Sequence, residues 1–191
     1  SRVVFPAFLL DRGEGCEIYE NAYWGLQTYL GLRENLAANE GARSFVYEST
    51  RDRTPLGHAH REHLRNLSIP EIREMYRRAV DRLLNEAAET KEFFRAGIVA
   101  IDITEADPFT GDRTGHEDEI IGTKEKSDEY AYQWATVQLV GNAVPIVLDA
   151  RPVRRGESRT VIVEDLLDSA EAAVHVDNVL MDREFDSQHV L

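Results

Sequence analysis

The sequence predicts an α/β protein in which residues 96–191 build a mixed sheet and residues 1–95 form a mainly helical region ahead of it. Three observations carry that prediction. Apolar residues recur at helical spacing through the first half of the chain. After Gly97 the rhythm changes to short apolar or alternating runs, which read as strands. One further helical pattern lies between the last two of these runs, where it can carry the chain over the sheet between parallel strands.

Residues 18–39 place Ile18, Tyr19, Ala22, Tyr23, Leu26, Tyr29, Leu30 and Leu36 at helical spacing, and Gly41 is the expected stop. Residues 49–57, rich in charge and turn formers, read as a loop. The clearest helix comes next. Ser68 and Glu71 spell an S-x-x-E capping box with Pro70 in the first turn. Ile72, Met75, Tyr76, Ala79, Val80, Leu83, Leu84 and Ala87 continue it as an apolar stripe, and Glu74 and Arg78 stand one turn apart on the wet face.

In the second half, residues 98–104 form a short, mostly apolar strand interrupted by Asp102. Residues 107–128 read as a polar loop. Residues 130–140 alternate and predict a long strand, Gly141-Asn142 marks a turn, and residues 143–148 return as a third strand that Pro145 confines to a sheet edge. Residues 161–173 read as a helix with Ile162, Leu166, Leu167 and Ala170 inward, and residues 174–181 as a fourth strand ending at Asp182. The economical layout puts the third strand at an edge beside the second, the second beside the first, and the fourth on the free side of the first. A right-handed crossover then makes the Asp102 and Asp182 strands parallel neighbours.

Composition narrows the setting. The net charge is −13, and the only lysines are Lys91, Lys124 and Lys126, so the positive charge is almost all arginine. Acidic excess with few lysines resembles the composition of salt-in halophiles, whose nucleic-acid-binding proteins are acidic as well. The charge therefore does not exclude a DNA partner. Cys16 is alone, which excludes a disulfide framework and a cysteine zinc site. No apolar run is long enough to span a bilayer and no signal peptide is visible, so a cytoplasmic protein without a membrane partner is expected. Beginning without methionine and stopping just past Asp182, the chain reads as a fragment or a truncated gene product.

An acidic residue inside an apolar run serves no packing purpose, because burying an unpaired carboxylate is costly. Two of them on adjacent strands repel unless a cation intervenes. Mg²⁺ (or Mn²⁺) suits such a pair, since it takes hard oxygen ligands and leaves positions for substrate phosphate. In a two-metal arrangement Asp102 bridges the ions and Asp182 holds one of them, which gives in-line displacement at a phosphodiester. Thr104, Glu105 and Asp186 are close enough in sequence to support the pair.

Several blocks carry a resemblance to a known family: Ala100-Ile-Asp102-Ile-Thr-Glu105 with Phe109-Thr-Gly-Asp112, residues 130–140, Pro145-Ile-Val-Leu-Asp149-Ala-Arg-Pro152, and Leu180-Met-Asp182-Arg-Glu-Phe185-Asp186-Ser187. Residues 97–191 resemble the catalytic core of DDE-type insertion-sequence transposases, in the branch common in halophilic archaea. The Asp-Arg-x-Phe block after an apolar strand is the most specific piece. The resemblance implies an RNase H-like fold, DNA strand cleavage and transfer with Mg²⁺ or Mn²⁺, and Asp102 and Asp182 as the first two members of an acidic triad. It also implies double-stranded DNA, at element ends and at target, as partner, a homo-oligomer in the full-length parent, and a nucleoid-associated setting. The family's third acidic residue, a glutamate on a later helix, has no counterpart here, since Glu184 lies too close to Asp182. The chain is thus expected to be catalytically incomplete. The alternatives are an RNase H-like nuclease or resolvase, and a non-catalytic DNA-binding remnant.

Arg151, Arg154, Arg155 and Arg159 are the candidate phosphate contacts, because local positive charge counts for more than the total. The competing reading is a solvated loop with ion pairs to Glu157 and Asp149. Arg183 is placed to orient Asp182 or to reach a phosphate. His58, His60 and His63 invite a zinc reading, which the lack of a fourth ligand weakens. Residues 112–119 with His116 read as a hydrated acidic surface. Tyr19, Tyr23, Trp24 and Tyr29 read as helix core before a base-stacking platform. For the helical region, support is the expectation over DNA binding, because no helix-turn-helix pattern is present.

Overall fold

Glu71 and Ser68 close the capping box that the sequence spells. The Glu71 carboxylate accepts the Ser68 backbone N–H at 2.8 Å, and the Ser68 hydroxyl accepts the Glu71 N–H at 3.4 Å. The helix they start, Ile69–Ala88, is the longest of the five α-helices among the described residues; the others are α1 (Glu20–Gly31), α2 (Ala38–Glu48), α3 (Gly57–Arg65) and α5 (Arg159–Ala173), with Ile69–Ala88 as α4. The computed structural model describes residues 2–12, 15–33, 36–90, 93–106, 108–123, 128–142, 144–182 and 185. They fall into two compact units, Ser1–Leu83 and Leu84–Leu191.

In the first unit, one expected helix is two. Gly41 lies inside α2 instead of ending a helix. A Cβ there would come within 2.1 Å of the Leu30 side chain, so this glycine permits a close approach of α1 and α2. Helix α3 occupies sequence with no apolar stripe, and its first residue, Gly57, meets the Ala38 carbonyl where a Cβ would sit at 2.4 Å. Two apolar clusters hold the unit: Leu10, Tyr23, Trp24 and Met75, and Leu26, Ala42 and Phe45. The α4 stripe is narrower than the periodicity implies, since Met75, Ala79, Val80 and Leu84 are buried while Ile72 and Leu83 are exposed. Glu74 and Arg78 form the expected pair at 3.8 Å.

The second unit is built on a five-stranded mixed sheet: β1 (Ala96–Glu105), β2 (Ile120–Gly122), β3 (Tyr130–Val140), β4 (Ile146–Val153) and β5 (His175–Met181). Strand β3 pairs antiparallel with β1 and β4, and β5 pairs parallel with β1. This is the expected order of edge, second, first and fourth strand. Strand β2 is an addition to that layout. It pairs with residues 130–132 of β3 and buries Ile120 inside a stretch that otherwise reads as polar loop. The third strand begins later than predicted, so Pro145 precedes it and Pro152 lies within it. Proline there costs no ladder bond on an outer edge. Gly97 has φ +140°, at the step where the β1–β5 register shifts, a backbone state that L side chains rarely adopt.

Alternation assigns the two faces. Val99, Ile101 and Ile103 of β1 are buried together with Ala131, Ala135, Val137 and Leu139 of β3. Helix α5 packs across β3 and β4 on this inner face and contributes Ile162, Val163, Leu166 and Ala170, all buried. Each of the valine, leucine and isoleucine side chains contributes about 1.5–3 kcal/mol through burial. Among the described residues, no helix is long and apolar enough to cross a membrane.

Candidate functional site

Asp102 sits between two buried isoleucines, Ile101 and Ile103, yet is itself exposed. Strand geometry explains this: successive side chains leave opposite faces, so the apolar run fills the core with every second residue and turns Asp102 outward. Asp102 stands on the outer face, opposite Thr136 of β3.

The parallel β1–β5 ladder runs through Ala100↔Leu180 and Ile101↔Met181. One step further on each strand stands an aspartate, Asp102 on β1 and Asp182 just past the end of β5. Leu180 is exposed on the same face as Ala100, and continued alternation carries both aspartates to that face. Adjacent strands lie about 4.8 Å apart, so a ladder continued by one step would set Asp102, three residues before the end of β1, opposite Asp182, one residue past the end of β5. Asp182 is exposed as well. Three residues beyond it the chain is pinned: Phe185, 1% exposed, is buried and its N–H donates to the Asp182 carbonyl at 3.0 Å. The phenylalanine of the Asp-Arg-x-Phe block is thus a core residue tied by its N–H to Asp182.

The supporting residues divide by face. Thr104 is exposed beside Asp102, whereas Glu105 turns to the inner face and accepts the Gln133 side-chain N–H at 2.9 Å. Asp186 and Arg183 lie outside the described residues. Among the described residues, no group of three or more His, Cys, Asp or Glu side chains could hold a metal ion. The described donors near the β1–β5 ladder end are the two hard carboxylates of Asp102 and Asp182. That fits an Mg²⁺ that keeps most positions for water and phosphate, and it does not fit a closed protein cage.

The arginines separate sharply. Arg151 is largely buried, bonding the Glu157 carboxylate and, at 3.0 Å, Asp165 on α5. Arg154 bonds Asp118 at 2.6 Å and Glu119 at 2.9 Å. Both guanidinium groups are committed to carboxylates of their own chain, two of which belong to the stretch expected to be a merely hydrated acidic surface. Arg155 is exposed and Arg159 half-buried, and neither makes an ion pair among the described residues. Asp149 is fully buried at a β-bulge, and its carboxylate accepts the Ala150 N–H at 2.8 Å.

The three histidines of α3 do not gather into a metal set. His60 is buried with Nε2 2.8 Å from the Gln27 side-chain oxygen, and burial, reinforced by nearby His63, lowers its pKa. Tyr23 stacks on the His60 ring and meets His63 edge-on with centroids 5.0 Å apart. Tyr23 and Trp24 are core, as their helical spacing implies, while Tyr19 is exposed. Comparison of the chain with family models, with curated proteins and with solved structures gives no match.

Proposed function

We propose that the second unit is the catalytic core of a DDE-type transposase with an RNase H-like fold, acting on DNA phosphodiesters with Mg²⁺ or Mn²⁺, and holding the first two of its acidic residues. The observation that supports this reading is that Asp102 and Asp182, both exposed, each follow the last pair of the parallel β1–β5 ladder, Ile101 with Met181. Two carboxylates in that position bind a cation, and a bound divalent ion supplies charge stabilisation at a phosphodiester undergoing in-line displacement. In this reading Asp102 and Asp182 hold the ion, and Thr104 lies within the same hydrated patch.

Double-stranded DNA is the proposed partner. Its phosphate contacts are assigned to Arg155 and Arg159, with Arg183 beside Asp182. Arg151 and Arg154 move from the phosphate role to a structural one, because their ion pairs satisfy them internally. The test is a binding titration of duplex DNA with the chain, run with EDTA and then with Mg²⁺. The proposal expects a metal-dependent gain in affinity that Asp102→Asn and Asp182→Asn each remove, and a smaller salt slope in Arg155→Ala with Arg159→Ala. DNA binding indifferent to metal and to both aspartates would establish the non-catalytic remnant instead.

A further inference from the structure

The outer face of the sheet carries an aromatic row on β3: Tyr130, Tyr132 and Trp134, two residues apart and therefore on one side. The row ends at Thr136, which faces Asp102. Its members are not equally covered. The Arg113 guanidinium lies 3.3 Å from the Tyr130 ring centroid, and Phe109 packs edge-on against Tyr132 at 5.9 Å. Among the described residues Trp134 has neither kind of partner and its indole N–H makes no hydrogen bond, and it is 42% exposed.

The position of Trp134 is specific. It lies opposite Thr104 on β1 and Pro152 on β4. With Asp102 opposite Thr136, Trp134 and Asp102 are diagonal cross-strand neighbours, a separation of about 7–8 Å between backbones that an aromatic side chain spans. An indole 42% exposed in the middle of a sheet, diagonal to the Asp102 carboxylate, is poorly suited to a dry protein interface, whose core is depleted of charge. With a divalent cation held at the aspartates to offset their repulsion of an anion, it suits a ligand with a flat apolar ring and an anionic group close together. A nucleotide has both, but a base inside a duplex has its faces already stacked, so the base must be unpaired.

We propose that Trp134 stacks on an unpaired nucleobase and so positions the adjoining phosphate at the Asp102–Asp182 pair, making it a positioning residue of that site. The inference rests on the nucleic-acid reading of the pair and adds to it the state of the base next to the reacting phosphate.

Tryptophan fluorescence tests this directly. The other tryptophan, Trp24, is buried and donates its N–H to the Phe8 carbonyl, so ligand-dependent quenching reports chiefly on Trp134. The full chain is titrated in Mg²⁺ with oligothymidylate, with a plain duplex, and with a duplex carrying a bulged base. The proposal expects saturable quenching by the first and third and little by the plain duplex. Affinity for oligothymidylate should fall about five- to a hundredfold in Trp134→Ala and be largely kept in Trp134→Phe. Trp134→Ala binding as tightly as the parent chain, or equal quenching by the plain duplex, would overturn it. So would self-association lost in Trp134→Ala without quenching by any oligonucleotide, which would make the face a contact between copies. Asp102→Asn separates the two readings. Quenching kept while metal dependence never appears would sink the metal reading alone; metal dependence kept with an indifferent Trp134→Ala would sink the base contact alone.

Discussion

Asp102 is exposed because it sits at an even step in a strand whose odd steps, Val99, Ile101 and Ile103, are buried. Its substitution therefore acts on chemistry and leaves the fold alone: Asp102→Asn should shift stability by no more than about 0.5 kcal/mol, as judged by denaturant midpoint. A large loss would mean that the carboxylate has a structural role. His60 behaves in the opposite way. Burial, then the charge of His63, holds its pKa below the ordinary 6.5. The folded state thus binds fewer protons than the unfolded chain between that lowered pKa and 6.5. Stability contributed by neutral His60 is intact above this window and declines as pH falls through it. Unfolding midpoints measured at falling pH should show that decline in the parent chain and a weaker one in His60→Gln. Identical slopes would show that some other group carries the acid sensitivity.

At the scale of elements, periodicity locates β3, α4, α5 and β5 well, because each combines a regular apolar spacing with a clear start or stop. Three features escape it for physical reasons. Gly41 looks like a helix end but is a close-packing residue against Leu30, a distinction that only the neighbouring helix reveals. Helix α3 has no stripe to read, since Gly57 and His60 do its burying. Strand β2 is three residues long, too short for any period. The arginine cluster reads as available for phosphate because the partners of Arg154 come from Asp118 and Glu119, 36 and 35 residues away in sequence. Arg151 is held more deeply, with 15% of its side chain exposed against 18% for Glu157. Arg151→Ala removes a largely buried guanidinium from Glu157 and Asp165 and should cost about 2 kcal/mol in unfolding free energy. A change within error would show the pair to be dispensable.

At the scale of the whole chain, the layout that makes β1 and β5 parallel neighbours is legible from element order, since a helical crossover lets a strand return parallel and the free side of β1 is open to it. The state of each residue's surface is not legible, because which side of a strand lies under α5 is a property of packing. The net charge of −13 has its own consequence. Like charges at this density repel across the folded surface, and salt screens them, so the thermal midpoint should rise with KCl concentration; a flat response would remove the halophilic interpretation of the composition. The central claim is that Asp102 and Asp182 share a cation. Mn²⁺ binding followed by electron paramagnetic resonance in the parent chain, Asp102→Asn, Asp182→Asn and the double variant measures it most directly. A shared site predicts that either substitution alone removes most of the tight binding and that the second adds little. Parent-like binding in both single variants, or two independent and additive losses, would contradict it.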